Sequence, residues 1–194
     1  MKHIILFTGY ARSGKDTSAD FLSEHGFIKL AIASKLKQII NIMFNINCEE
    51  IEKQDKQNIP MDELNGLTLR QTKQLIGTEL LQHNLSTIMP NLGRNYHIKQ
   101  LVDYINKTFI ERICICDLRF PHELDYINKH IIDAKITTIR IIRPSLNINT
   151  EVYKHSSENS IKEIKTDFTI INEDLQKLKI DIINIMTQIK KKYE

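Results

Sequence analysis

With 194 residues, a net charge of +3 and 41% hydrophobic residues, the chain is long enough for one domain with a real core, and too weakly charged to require nucleic acid as a partner. No run approaches the roughly 18 apolar residues of a membrane span, and the N-terminus lacks a signal-peptide layout. The odd set Cys48, Cys114 and Cys116 has no framework spacing, so a disulfide scaffold is excluded and a reducing, cytoplasmic setting is expected.

The first predicted element is a strand, HIILFT (3–8), followed by a loop and then a helix beginning TSADFLSEH. A second strand, FIKLAI (27–32), precedes a helix with Leu36, Ile39, Ile40, Met43 and Phe44 at spacings of three and four. Residues 47–66 are polar, contain Pro60 and Gly66, and are expected to form a mobile insertion rather than core. After a second irregular stretch (86–95), Ile98, Leu101, Val102 and Ile105 mark another helix. The strand RICICDL (112–118) puts Cys114 and Cys116 on one face, as small buried apolar residues in the first reading and a metal-binding pair in the second. Strands over 136–143 and 168–172 flank a polar connection, 143–160, whose length suits a lid. The last helix carries Leu175, Leu178, Ile182, Ile185 and Ile189 and ends in Lys190–Lys192, where cations complement the helix dipole. Strands alternating with helices imply a parallel sheet covered on both sides.

Chemistry concentrates where the first strand ends. GYARSGKD has a glycine, four residues, a second glycine and a lysine, between a strand and a helix. Backbone N–H groups of such a loop point inward and hold phosphate oxygens. Gly9 and Gly14 allow close approach, and Lys15 reaches the β- and γ-phosphates. The residue after the lysine, normally Ser or Thr, is Asp16, with Thr17 next. Thr17 can still bond a phosphate; Asp16 either holds Mg²⁺, directly or through water, or caps the helix. Asp117 ends a strand expected beside the first, where ligands bind outside the carboxyl ends, and so is a second candidate for the metal. Arg119, two residues on, suits a bidentate phosphate clamp; the alternative is an ordinary surface ion pair.

Together, GYARSGKDTSADFL, LAIASKLKQII, LRQTKQLIGTELL, CDLRFPHELDYI, TIRIIRPS, KHSSENS and TDFTIINEDLQKL resemble the phage-type deoxynucleoside monophosphate kinases, in the family's order and over nearly the whole chain. The resemblance implies a three-layer α/β P-loop kinase fold: a five-stranded parallel sheet, helices on both faces, a mobile acceptor-side insertion and a lid. It implies one domain, with a core of 1–44, 108–142 and 165–194, an acceptor-binding insertion at about 45–100 and a lid at about 143–160. It implies phosphoryl transfer from ATP, with Mg²⁺, to a nucleoside 5′-monophosphate. Arg12, Ser13, Gly14, Lys15, Asp16 and Thr17 would bind ATP phosphates, with Asn172 near the adenine and Asp16 and Asp117 at the metal. Lys37, Arg70 and Arg119 would meet the acceptor phosphate, and Gly77, Thr78 and Glu79 would shape the acceptor pocket. Lys15, Arg119 and Arg143 would serve the transferring group. His155 and Glu158 match a recurrent H-x-x-E stretch, with Glu158 assigned to the substrate side. A homodimer is also implied, and neither nucleic acid nor membrane is an expected partner.

The chain departs from the family pattern at His97, where a tryptophan often follows the tyrosine, and in an insertion at 47–66 shorter than the phage version. Both departures fall on the acceptor side, so base preference stays open. So do two further readings: a P-loop kinase for another phosphorylated metabolite, such as phosphomevalonate or dephospho-coenzyme A, and a nucleotide-binding or nucleic-acid ATPase without a small acceptor.

Overall fold

The structure, a computed structural model, describes residues 1–90, 92–146 and 160–193. In chain order the elements are β1 (Lys2–Thr8), α1 (Lys15–Ser23), β2 (Ile28–Leu30), α2 (Ser34–Phe44), α3 (Cys48–Lys53), α4 (Leu69–Gln74), α5 (Leu85–Ile88), α6 (Tyr96–Lys107), β3 (Arg112–Leu118), α7 (Pro121–His130), β4 (Ala134–Ile142), β5 (Phe168–Ile171) and α8 (Leu175–Tyr193). A π-helical stretch, Leu75–Asn84, joins α4 to α5. The chain divides into two units, Met1–Ala31 with Tyr104–Glu194, and Ile32–Asp103.

The first unit holds the sheet. All five strands are parallel, in the order β2-β3-β1-β4-β5. This is the parallel sheet that the alternation of strands and helices predicts, and it has the five strands that the resemblance implies. Ile5 and Phe7 of β1, Cys114 and Cys116 of β3, Ile139 and Ile141 of β4 and Ile170 of β5 form one apolar face. Ala19 and Leu22 of α1 cover it, with Leu178, Ile182, Ile185 and Ile189 of α8. The two cysteines therefore share a face, as the period of a strand requires, and all three cysteines are buried free thiols. The alternate residues Ile4, Leu6, Ile113 and Ile115 are equally buried, so the other face is covered too. Chirality explains the two layers. The chain passes from β1 through α1 to β2 in one direction along the sheet and from β3 through α7 to β4 in the other. Right-handed crossovers then put α1 and α7 on opposite faces.

The pairing of β1 with β3 shifts register between Leu6, opposite Ile115, and Thr8, opposite Leu118. β3 thus carries one extra residue beside Cys116 and Asp117, a bulge at the carboxyl end of the central strands.

The second unit has its own core: Leu36 and Ile40 of α2 pack with Cys48, Leu64, Leu69 and Ile76. The polar stretch 47–66, expected to contribute nothing to a core, supplies Cys48 and Leu64 to it, at 0% and 2% exposure. Two local signals explain that order. Asn47 caps α3 by accepting from the N–H groups of Glu49 and Glu50. Thr68 and Gln71 form a reciprocal capping box at the start of α4. By its own packing α2 belongs to this second unit.

Candidate active site

The loop from Gly9 to Gly14 leaves β1 and enters α1 with three residues at positive φ: Gly9 at 144°, Arg12 at 64° and Gly14 at 109°. At Gly14, the N-cap of α1, no side chain caps the helix. A Cβ added there would stand 2.5 Å from Asn172 Nδ2, and one added at Gly9 would overlap the Ile141 carbonyl. Glycine is therefore required at both positions by backbone angle and by space. The loop is tied from outside: Asn172, just past β5 and 8% exposed, donates from Nδ2 to the Ser13 carbonyl at 2.8 Å.

Lys15 is 6% exposed and donates to the Tyr10 carbonyl at 2.6 Å, folding its ammonium back over the loop. The Ser13 hydroxyl is buried and has no hydrogen-bond partner among the described residues. An orphaned hydroxyl costs stability unless something binds it. A cavity of about 480 Å³ opens on this loop, lined by Arg12, Gly14, Lys15, Asp16, Thr17, Arg143 and Asn172, with Glu173, Asp174, Leu175 and Leu178 beyond them. The structure thus brings together six of the seven residues expected at the nucleotide phosphates and adenine, with Ser13 in the adjoining loop wall, and adds Arg143. The apolar side of the cavity, Leu175 and Leu178, has no counterpart in the sequence reading.

Asp16 is not the N-cap residue of α1 but an acid in its first turn. Its carboxylate pairs with Lys29 of β2 at 3.0 Å, and the same ammonium meets Asp20 Oδ1 at 3.0 Å. Partial burial works against the Asp16 charge, but Lys29 outweighs it and the carboxyl sits below its ordinary range. Lys29, absent from the sequence reading, thereby fixes the acid that follows the loop lysine. Burial raises the Cys116 thiol well above its ordinary range, and nearby Asp117 and Asp16 raise it further, so both acids border one spot. Among the described residues no three His, Cys, Asp or Glu side chains converge as a metal site.

Arg119 follows β3, and its backbone is held by a second unforeseen residue. Glu123, 4% exposed, accepts from the N–H groups of Arg119 at 2.9 Å and Phe120 at 3.0 Å. Pro121 and Glu123 open α7 as N-terminal proline and third-position glutamate, a signature legible in DLRFPHE. Asp117 and Arg119 are half-buried and are not among the residues lining the cavity. Arg143 donates to Ser145 Oγ at 3.2 Å. His155 and Glu158, with most of the expected lid, lie outside the described residues.

The remaining candidates belong to the second unit. Gly77 packs so closely on Leu36 that a Cβ would reach its Cδ2 at 2.5 Å. Gly77 and Thr78 are buried in the π-helical stretch, and the half-exposed Glu79 lies 3.4 Å from His83. His97 is 5% exposed, with Nε2 3.3 Å from the Gly77 carbonyl. Arg70 donates from Nε to Asn58 at 3.0 Å. Lys37 donates to Glu52 at 2.6 Å, and Lys73, also unforeseen, donates to the other oxygen of Glu52 at 2.5 Å.

Comparison with known proteins adds three findings. A family model described as deoxynucleotide monophosphate kinase matches residues 3–79. A protein of Acanthamoeba polyphaga mimivirus, provisionally named a deoxynucleotide monophosphate kinase, is 31% identical over 176 residues, 87% of this chain and 88% of that one. The crystal structure of TT1252 from Thermus thermophilus superposes with a TM-score of 0.51 at 14% identity, over 96% of this chain and 97% of that one, a likeness of fold. Among the described residues no helix is long and apolar enough to cross a membrane.

Proposed function

Because the chain belongs to the deoxynucleotide monophosphate kinase family and is therefore a phosphotransferase, we propose that it moves the γ-phosphoryl group of ATP to a deoxynucleoside 5′-monophosphate, giving the diphosphate and ADP. The observation that carries the donor side is the loop cradle. Its glycines leave space that a Cβ would fill, its buried Ser13 hydroxyl has no partner among the described residues, and its lysine is held at hydrogen-bond distance from the loop itself. This arrangement fits the phosphates of a nucleoside triphosphate, with loop N–H groups and the α1 N-terminus as donors. Lys15 exchanges the Tyr10 carbonyl for phosphate oxygens, and Arg12 and Arg143 add charge from the cavity wall.

The acids fit a hydrated Mg²⁺. Such an ion is held by one or two carboxylates together with substrate phosphates, so three converging protein ligands are not needed. Asp16 and Asp117 would hold it, with Thr17 on a phosphate, and the ion would supply positive charge against that of the phosphates. Asp16 keeps its charge through Lys29, and Lys29 retains Asp20 when Asp16 turns to other partners.

No general base is required. The second ionisation of a phosphate monoester falls near pH 6, at about 6, so the attacking oxygen is already anionic at neutrality. Repulsion between two anions is what remains to be overcome. Lys37, Arg70 and Arg119 are assigned to the acceptor phosphate and Lys15 and Arg143 to the transferring group; positioning of this kind can lower a barrier by about 7–11 kcal/mol. A lid over 143–160 would exclude water as a competing acceptor. Membership of the family supports small nucleotides as substrates; a homodimer, a cytoplasmic setting and independence from nucleic acid are further parts of the proposal.

ADP release should be measured across eight ribo- and deoxyribonucleoside monophosphates. At least one deoxynucleotide is expected to be phosphorylated, and Lys15→Ala should abolish turnover while the far-ultraviolet circular dichroism is unchanged. Full activity in Lys15→Ala, or turnover stimulated by DNA but by no monophosphate, would overturn the reading.

A further inference from the structure

We propose that Lys37 and Lys73 form a two-lysine clamp for the acceptor 5′-phosphate, and that Glu52 is an internal carboxylate holding the clamp in shape until a phosphate displaces it. The inference rests on the acceptor reading above, which assigns Lys37 to that phosphate, and it adds Lys73 and Glu52.

Three separate helices of the second unit supply the groups: α2 gives Lys37, α3 gives Glu52 and α4 gives Lys73. Each oxygen of the one carboxylate receives its own ammonium, Oε2 from Lys37 at 2.6 Å and Oε1 from Lys73 at 2.5 Å. Two ammonium groups therefore converge on one carboxylate. The side chains are 27%, 24% and 22% exposed for Lys37, Glu52 and Lys73, sheltered but within reach of a small anion. A phosphate monoester carries a charge of about −1.5 to −2 near neutrality on three terminal oxygens. It offers two ammonium groups more charge and more acceptor oxygens than a carboxylate does.

Two neighbouring ammonium groups repel each other, and Glu52 between them offsets that repulsion and keeps both donors aimed at one point. Lysine suits the exchange, since its compact charge carries three donors that rotate freely from one acceptor to the next. The location agrees with the assignment. Leu36, next to Lys37, meets Gly77 of the stretch that follows Lys73 in the chain. Arg70 precedes Lys73 by three residues on α4 and so lies on the same side of that helix. Glu52 is then a competitor that a 5′-phosphate must replace, and a nucleoside without one leaves it in place.

The test is calorimetric titration of wild type, Glu52→Gln, Lys73→Met and Lys73→Arg with a deoxynucleoside monophosphate, the matching deoxynucleoside, inorganic phosphate and ATP. Glu52→Gln should bind the monophosphate and inorganic phosphate more tightly by about tenfold, the contribution of one charge-assisted hydrogen bond. Its affinity for ATP and for the deoxynucleoside should not change. Lys73→Met should lose about tenfold for the same two phosphates, and Lys73→Arg should recover most of it. A Glu52→Gln protein that melts lower and binds phosphates no more tightly than wild type would make the triad a structural staple and overturn the clamp. Thermal melts of Lys73→Arg, which keeps the charge, guard against misfolding as the cause of any loss. Turnover of the wild type judges the acceptor reading separately: with no monophosphate phosphorylated, that reading falls, while the inorganic-phosphate contrast still decides the clamp.

Discussion

Gly14 concentrates two constraints on one atom that the chain omits. Its φ of 109° is open to glycine, and the space where a Cβ would go belongs to Asn172. Gly14→Ala should therefore push the Asn172 amide off the Ser13 carbonyl and deform the phosphate cradle. We expect an increase of at least about tenfold in KM for ATP, the loss of one charge-assisted contact, together with a lower Tm. Steady-state kinetics would check this, and a variant with wild-type KM for ATP would mean the loop is not the donor site. Adding Asn172→Ala should restore only part of the loss, because the backbone strain stays. Asn172 itself illustrates how far a resemblance reaches. Family position puts it by the adenine; its own amide is committed to the loop while its side chain borders the same cavity. Asp16 was open between metal and cap on the sequence; it stands as an acid in the first turn of α1, and its side chain turns to Lys29.

Among the elements, α7 carries an ionisable group under strain. Burial holds the Glu123 carboxyl up at about 7, against the opposing pull of the Arg119 and Phe120 N–H groups. The folded state thus keeps a proton that the unfolded chain releases near the ordinary glutamate value. From this group, stability is fully present below that ordinary value, falls as pH rises toward about 7, and is level above it. Glu123→Gln removes the penalty of charging. Its Tm relative to wild type should therefore be higher at pH 8 than at pH 5, as differential scanning calorimetry would reveal. A variant losing most at pH 8 would mean that the two N–H donors outweigh burial. The proline and glutamate opening α7 were legible in the sequence, because caps act over three or four residues. The π-helical turn geometry at Leu75–Asn84 was not, since apolar spacing alone does not distinguish it from an α-helix over so short a run.

For the whole molecule, the decisive feature is that the two units have separate cores. Phe7 and Ile182 sit in one, Leu64 and Leu69 in the other. Leu64→Ala empties part of the second core and should cost about 2–5 kcal/mol there. If the acceptor groups reside in that unit, the variant should lose affinity for the monophosphate while its ATP affinity, read by titration, stays near wild type. Equal loss of both would tie the donor cradle to the second core. A parallel sheet covered on both sides was implied by the alternation of elements, with strand boundaries within a few residues of those expected: 27–32 is a strand only over Ile28–Leu30, at the edge of the sheet.

The amino-acid order by itself determined the parallel sheet, the loop cradle, the role of Cys114 and Cys116 as buried apolar groups and the family. Each of these depends on spacing along a few residues or on the period of one element, which a string of letters preserves. Only the tertiary structure decided which charges meet. Lys29 finds Asp16 across 13 positions, and Glu52 finds Lys37 across 15 and Lys73 across 21. With 27 Lys and Arg and 24 Asp and Glu in the chain, nothing local marks those partners. An ion pair acts over a few ångströms of space, and packing of distant segments alone sets which groups come within that reach.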